Sequence, residues 1–331
     1  VAFSRPQLSL DGTWRFVADP EGVFDPDGLP DGVPIAVPSC WEALLGPATP
    51  LTTAWYVRSF ELPGDWDPSG AMLHFGAVSD RAEVWLNGVR LGGHEGGYTL
   101  FELAAGGAAR NGPNELVVRV VNPAGAISHY PAFDDAALAA LDESAAGAGI
   151  REIPIGKQTW YSSLSGIWQS VVVICRPRIA LSGVAVIADV AAKRVKVSWA
   201  IDGADQSAMR GLELRLGVVD GDGNGAGEWG VVDPSSSGEA SVAITAPRLW
   251  ELDDPHLYRL EAELSQGGAV IDRIDVRFGM RDIGTSDGQV TLNGRPRYIR
   301  GVLDQDVYDA TIWVPASRAI VERTLRKVKA M

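Results

Sequence analysis

The chain has 331 residues, more than one ordinary domain of roughly 100–200 residues holds, so two or three units are expected. Its formal net charge is −13, and Lys and Arg are scattered apart from a short basic cluster at Arg323, Arg326, Lys327 and Lys329. That argues against a nucleic acid or an anionic membrane as partner, since either needs a basic face. No apolar run approaches the about 18 residues of a membrane span, and two cysteines, Cys40 and Cys175, are too few for a disulfide framework and read as buried free thiols.

No basic-then-apolar leader opens the chain, which favours the cytoplasm over secretion, although the first residue is Val1 rather than Met. Up to about Ile179 the sequence reads as β structure. Short alternating or apolar runs recur at Thr13–Val17, Ala54–Leu62, Ala71–Phe75, Ala82–Leu86, Glu115–Val121 and Ile167–Ile174, separated by Gly, Pro, Asn and Asp. Many short strands with turn signals between them predict a sandwich or barrel rather than βαβ units. Asn87-Gly88 between two such runs predicts a type I′ hairpin, because that turn needs two positive φ angles. Ala136–Gly149 is Ala-rich and reads as a short helix or a long surface loop.

A second all-β unit is predicted from Ile179 to Gly279, with runs at Val184–Val190, Val195–Ile201, Leu212–Val219, Ala240–Ile244, Leu257–Leu264 and Val270–Phe278. About seven strands in ~100 residues is the size of an immunoglobulin-like sandwich. Asp220-x-Asp222-x-Asn224-Gly225 opens like a calcium loop, but Val231 stands where the bidentate Glu is required, so a hairpin loop is favoured. After Gly279 a second Asn-Gly turn, Asn293-Gly294, is followed by a predicted helix over Ala316–Met331. Ser317 can cap it, and Val321, Leu325 and Val328 share one face. The sequence stops inside that helix with no cover for its apolar face, which predicts the first strand–helix unit of something larger.

Several segments carry a family resemblance. They are Leu10-Asp11-Gly12-Thr13-Trp14, Val37-Pro38-x-x-Trp41, Trp55-Tyr56-x-Arg58-x-Phe60, Ala82-Glu83-Val84-Trp85-Leu86-Asn87-Gly88 and Ser165-Gly166-Ile167-Trp168-Gln169-Ser170-Val171. Further on come Leu249-Trp250, Asp254-Pro255-x-Leu257-Tyr258, Arg277-Phe278-Gly279-Met280-Arg281, Leu292-Asn293-Gly294-Arg295-Pro296 and Arg300-Gly301-Val302. In this order the motifs resemble the front half of glycoside hydrolase family 2, which includes β-galactosidases, β-glucuronidases and β-mannosidases. The resemblance implies a mainly β chain: a jelly-roll-like sugar-binding sandwich over residues 1–178, an immunoglobulin-like sandwich over 179–279, and the start of a truncated (β/α)₈ barrel over 280–331.

Read physically, Trp14, Trp85, Trp168 and Trp250 sit in strand-like runs and are expected to fill cores. Trp41, Trp160 and Trp313 lie in loop-like contexts and are the better candidates for stacking on a sugar. The four histidines are isolated, and neither a zinc spacing, nor a nucleophile elbow, nor a phosphate loop is present, so no cofactor and no metal are expected.

Retaining glycosidases use two carboxyl groups about 5–5.5 Å apart. The family's two glutamates lie late in a barrel of about 250 residues, and only about 50 residues follow Gly279, so no catalytic residue is carried over. The resemblance implies only a pocket periphery: Lys157, Gln158 and Trp160 before the Ser-Gly-Ile-Trp motif, and Asp304, Gln305, Asp306 and Tyr308 after the expected first barrel strand at Arg300–Val302. The expectation is therefore the non-catalytic N-terminal portion of an enzyme that hydrolyses O-glycosidic bonds. Its partner is a carbohydrate substrate, and assembly as a homo-oligomer is left open. The alternatives are a stand-alone carbohydrate-binding or scaffolding module, and a small enzyme using Asp304 and Asp306.

Overall fold

The computed structural model describes residues 2–3, 5–47, 49–126, 153, 163–232, 235–305 and 307–331. The chain divides into two compact units, one formed by Gln7–Cys175 with Val302–Met331, the other by Val1–Pro6 with Arg176–Gly301. The Ala-rich Ala136–Gly149 segment lies outside the described residues.

The first unit is a β-sandwich of antiparallel sheets. Its six-stranded sheet runs in the order Val33–Val37, Gly12–Ala18, Thr53–Leu62, Gly112–Val121, Arg81–Leu86, Val89–Glu95. Its four-stranded sheet runs Phe101–Ala104, Ala71–Phe75, Val171–Cys175, Gln7–Ser9. The alternation in the sequence is what closes the sandwich. In Ala71–Phe75 and Arg81–Leu86 every second side chain is buried. The buried faces of both sheets join in one core containing Trp14, Phe16, Tyr56, Leu73, Phe75, Val84, Leu116 and Val118. Each fully buried Val, Leu or Phe contributes about 1.5–3 kcal/mol, so this core is the main support of the unit.

Asn87 and Gly88 take φ of 51° and 80°, the positive pair that a type I′ turn requires. The Asn87 amide then donates to Asn114 Oδ1 and to the Ala108 carbonyl, each at 2.8 Å, which fixes the turn against a neighbouring loop. One expected strand is divided in two. Gly166–Ile167 pairs with Val78–Ser79, whereas Val171–Cys175 pairs with Ala71–Phe75 and Gln7–Ser9. Trp168, Gln169 and Ser170 leave the ladder between them, and the Trp168 indole donates to the Gly97 carbonyl at 2.7 Å instead.

The second unit is a smaller sandwich. A five-stranded sheet runs Ala2–Phe3, Ala269–Phe278, Tyr258–Gln266, Leu212–Val219, Gly230–Val232, and a three-stranded sheet runs Ala180–Asp189, Arg194–Asp202, Ser237–Ala243. Leu181, Val197, Trp199, Leu214, Leu216, Leu260 and Ile274 are among the residues of its core. The N-terminal pair Ala2–Phe3 belongs to this unit, opposite Asp275 and Ile274. In the calcium-like segment, Asp220 Oδ1 accepts the N–H groups of Asp222 and Asn224 at 3.0 and 2.8 Å, and Val219 bridges to Gly225. That carboxylate caps its own hairpin loop. A three-stranded sheet of Ile283–Ser286, Gln289–Leu292 and Arg295–Pro296 follows, turned at Asp287-Gly288 and at Asn293-Gly294.

The expected barrel strand at Arg300–Val302 does not form: residues 297–305 carry no strand. A strand exists by pairing its backbone with a neighbour; the Arg297 N–H still donates to the Val290 carbonyl at 2.8 Å, but no backbone pairing of Arg300–Val302 with the described residues follows it. The predicted helix does form, over Arg318–Ala330. Ser317 occupies the N-cap position, but its side chain makes no capping hydrogen bond. No residue of that helix is buried, and Leu325 is 61% exposed.

Candidate functional site

Lys157, Gln158, Trp160 and Asp306 lie outside the described residues. Asp304 is exposed, and Gln305 and Tyr308 are half-buried. Tyr308 and Ile312 exchange both backbone hydrogen bonds at 2.8 Å, which closes a tight loop over residues 309–311. This loop meets the first sandwich. The Cys40 thiol donates to the Thr311 carbonyl at 3.7 Å, and the Trp313 indole donates to the Ser163 carbonyl at 3.0 Å.

The surface beneath it is built from the Val37-Pro38-x-x-Trp41 motif. The Ser39 and Trp41 N–H groups donate to the carbonyls of Ile167 and Ser165 at 3.0 and 3.1 Å. The one-turn helix Glu42–Leu45 then carries the Glu42 carboxylate inward, where one oxygen accepts the Ser165 N–H at 3.2 Å. Its other oxygen has no hydrogen-bond partner among the described residues, and neither do Trp41 Nε1, the Tyr56 hydroxyl or Thr311 Oγ1. Burial pushes the Glu42 carboxyl up to about 7, outweighing the hydrogen bonds from Ser165 that act the other way. Burial, reinforced by the charge of Glu42, pushes the Cys40 thiol up to about 12. Burial likewise raises Tyr56 well above the usual phenol value.

This polar knot can hold a proton near neutral pH. It is also closed, with Cys40, Trp41 and Glu42 at 0%, 1% and 3% exposure, so no substrate reaches it. Cys40 connects it to the loop that carries Trp313 through the contact with the Thr311 carbonyl. Trp41, one of the candidates for stacking on a sugar, is not on an open surface. It is instead core, packed on Phe16 at 6.2 Å between ring centroids, because the helix that follows it turns its indole into the sandwich.

Beside the knot opens a cleft of about 470 Å³, whose walls include Pro38, His74, Trp168, Gln169, Trp313 and Pro315. Trp313, another of the stacking candidates, is on the cleft wall. Trp168, expected in the core, is half-buried on the cleft wall, because the chain leaves the ladder at this point. The sequence signal for that was the polar pair Gln169-Ser170, which breaks the apolar run. His74 Nδ1 lies 3.2 Å from the Glu102 carboxylate, so the ionisable group of the cleft has a partner. No Asp or Glu is among the described residues lining the cleft.

Comparison with known proteins follows the same division of the chain. The family model for the sugar binding domain of the glycosyl hydrolases family 2 matches residues 8–177, and a further model of that family matches residues 179–281. A β-glucuronidase of Paenibacillus borealis is 25% identical over 307 residues, covering 90% of this chain and 49% of the relative. A β-glucuronidase of Rattus norvegicus is 23% identical over 325 residues, covering 90% and 48%. A β-galactosidase of Enterobacter cloacae is 26% identical over 337 residues, covering 91% and 30%. Among solved structures, the apo β-glucuronidase of Ruminococcus gnavus superposes with a TM-score of 0.74 at 22% identity, over 98% of this chain and 54% of that one, a likeness of fold. The chain thus spans about half the length, or less, of the relatives it matches.

Proposed function

This chain belongs to family 2 of the glycosyl hydrolases, and we propose that it forms the non-catalytic sandwich portion of an enzyme that hydrolyses O-glycosidic bonds of β-glycosides, with catalysis housed in an adjoining barrel. The observation that carries this reading is an uncovered apolar run. Tyr298, Ile299 and Leu303, within six residues of one another, are 90%, 70% and 84% exposed, large apolar side chains that none of the described residues covers. Covering three such side chains would contribute several kcal/mol, at about 1.5–3 kcal/mol each. A barrel strand with neighbours on both sides supplies that cover.

On this reading Asp304, Gln305, Asp306 and Tyr308 follow the C-terminal end of the first barrel strand, the end at which barrel active sites are built. Lys157, Gln158 and Trp160 approach the same pocket from the first sandwich. These residues bind or orient sugar. The reaction proceeds with retention through two carboxyl groups about 5–5.5 Å apart. One protonates the glycosidic oxygen, the other attacks the anomeric carbon, and water then cleaves the glycosyl–enzyme bond. Neither carboxyl is assigned to a residue of this chain.

The test is hydrolysis of nitrophenyl β-glucuronide and β-galactoside by the 331-residue polypeptide. No turnover above buffer is expected. Turnover that disappears in Asp304→Asn or Asp306→Asn would overturn the reading in favour of a small self-sufficient enzyme.

A further inference from the structure

We infer that Asn224-Gly225, in the calcium-like loop of the second sandwich, is a site of spontaneous covalent modification: the Asn224 amide cyclises onto the Gly225 nitrogen and hydrolyses to aspartate and isoaspartate, ahead of every other Asn-Gly pair in the chain. The inference is independent of the hydrolase reading.

The chemistry belongs to the pair. A glycine nitrogen has no neighbouring side chain to shield it. It attacks Cγ of the preceding asparagine, which forms the Cγ–N bond of a succinimide ring. The N–H proton passes to water, the Cγ–Nδ2 bond breaks, and ammonia leaves. Water then opens the ring. Attack at Cγ gives aspartate. Attack at the main-chain carbonyl gives isoaspartate, whose backbone runs through the side chain and is longer by one methylene. Either product carries one more negative charge than asparagine. The reaction needs an amide that can turn and a glycine nitrogen free of a backbone hydrogen bond.

The chain holds four Asn-Gly pairs, starting at Asn87, Asn111, Asn224 and Asn293. The fold locks two of them. Asn87 Nδ2 donates to Asn114 Oδ1 and to the Ala108 carbonyl, each at 2.8 Å, and Asn87 Oδ1 accepts the Glu115 N–H at 2.9 Å. Asn293 Nδ2 donates to the Trp250 carbonyl and the Glu251 carboxylate at 3.1 and 3.0 Å, and Asn293 Oδ1 accepts the Asp282 N–H at 3.0 Å. Each of these amides must break three bonds before it can turn. Asn111 is held less, by one bond from Nδ2 to the Gly64 carbonyl at 3.1 Å, but Gly112 already sits in the Gly112–Val121 strand, paired with Leu62.

Asn224 and Gly225 are both exposed. Asn224 Nδ2 lies 3.3 and 3.5 Å from the two Asp220 carboxylate oxygens, longer than the about 2.7–3.2 Å of an ordinary N–H···O bond. The backbone also presents the nucleophile. Gly225 bridges to Val219 in antiparallel fashion, and the bonds of the bridge fall on the flanking residues. The Asp220 N–H donates to the Asn224 carbonyl at 2.9 Å, and the Ala226 N–H donates to the Val218 carbonyl at 2.8 Å. In a pair of this kind the N–H of the bridged residue points away from the partner strand, so the Gly225 nitrogen carries no bond of the ladder. Isoaspartate would turn the Asn224 carbonyl, the acceptor of the Asp220 N–H, into a carboxylate outside the backbone, beside Asp220 and Asp222.

The test is incubation of the 331-residue polypeptide at mildly alkaline pH and physiological temperature, followed by peptide mass mapping and an isoaspartate assay. The Asn224 peptide is expected to convert at least about tenfold faster than the Asn87 and Asn293 peptides, and faster than the Asn111 peptide, because locked amides react only through local opening. In concentrated urea, where the fold is lost, the four should convert within about threefold of one another. A Cβ at Gly225 would meet only the Gly227 carbonyl oxygen, at 3.9 Å, so Gly225→Ala keeps the loop. Its methyl group shields the nitrogen and should slow conversion about tenfold or more. The inference is overturned if Asn224 stays an amide over the time in which the unfolded chain converts, or if another Asn-Gly pair leads in the folded chain. It is equally overturned if Asn224 leads by the same factor in urea, or if Gly225→Ala leaves the rate unchanged.

Discussion

Arg5 and Asp272 form a buried two-pronged ion pair across 267 residues of sequence, with Arg5 Nε and Nη2 at 2.9 and 2.6 Å from the two carboxylate oxygens. Their side chains are 3% and 1% exposed. The Leu181 backbone completes the arrangement. Its carbonyl accepts from Arg5 at 2.5 Å and its N–H donates to Asp272 at 2.7 Å. Both carboxylate oxygens of Asp272 are thus matched, the condition under which a buried pair is tolerated. The pair locks the residues after the Ala2–Phe3 strand onto the second sandwich.

Removing one partner should therefore cost far more than a surface pair. Arg5→Ala is expected to destabilise the second sandwich by about 3–5 kcal/mol, because Asp272 is left buried with an uncompensated charge. Arg5→Met with Asp272→Leu should cost less, since no uncompensated charge stays buried and what is lost is the partners of the Leu181 N–H and carbonyl. Urea unfolding monitored by circular dichroism distinguishes the two. Equal losses in the single and double variants would mean that the charge pair is not what holds the strand.

Glu42 gives the first sandwich a pH dependence of defined sign. Its carboxyl is raised from 4.5 to about 7 in the folded chain, so the folded state binds the proton more tightly than the unfolded one. The associated stability is fully present below about pH 4.5 and is lost as pH rises through about 7. At 1.36 kcal/mol per unit this amounts to about 3 kcal/mol. Thermal unfolding of wild type and Glu42→Gln between pH 4.5 and 8 measures it. The amide keeps an acceptor for Ser165 and carries no charge, so the variant is expected to flatten the decline. An unchanged slope would show that other groups are responsible.

Gly166 and Tyr56 are coupled by contact. Gly166 has φ +103°, and a Cβ placed there would lie 2.2 Å from the Tyr56 hydroxyl. Gly166→Ala therefore combines backbone strain with overpacking and is expected to cost roughly 2–5 kcal/mol. The Tyr56 hydroxyl has no partner among the described residues, so Tyr56→Phe alone should change stability by less than about 1 kcal/mol. In the double variant the clash is relieved and only the strain remains. A cycle of the four proteins should show a coupling of about 1–3 kcal/mol. Strict additivity would contradict the geometry.

Cys40 reports on the loop that carries Trp313. It is fully buried, with its thiol against the Thr311 carbonyl, and its raised pKa leaves almost no thiolate at neutral pH. In the native 331-residue chain it should not react with a disulfide reagent over the time that unfolded chain reacts completely. A chain ending at Gly301 lacks the covering loop and should stay folded on its sandwich cores, with one thiol now reacting at least about tenfold faster. No change in reactivity would place the loop elsewhere.

The sequence by itself determined what depends on neighbours along the chain. Alternation at Ala71–Phe75 sets the faces of that strand, Asn87-Gly88 sets a turn, and Asp220 folds back on its own loop, because each outcome needs only a few adjacent residues. The order of motifs likewise carried the family. Contacts between distant segments decided the rest. Ala2–Phe3 joins a strand some 270 residues away, Trp41 is core whereas Trp168 reaches the cleft wall, and Arg300–Val302 has no strand because nothing among the described residues pairs with it. Nor could local pattern show that Thr311 and Trp313 settle on Cys40 and Ser163 to form the knot and its cleft. A side chain's type states what it can bury or bond, but which partner is within 3 or 4 Å is settled only when the whole chain has packed.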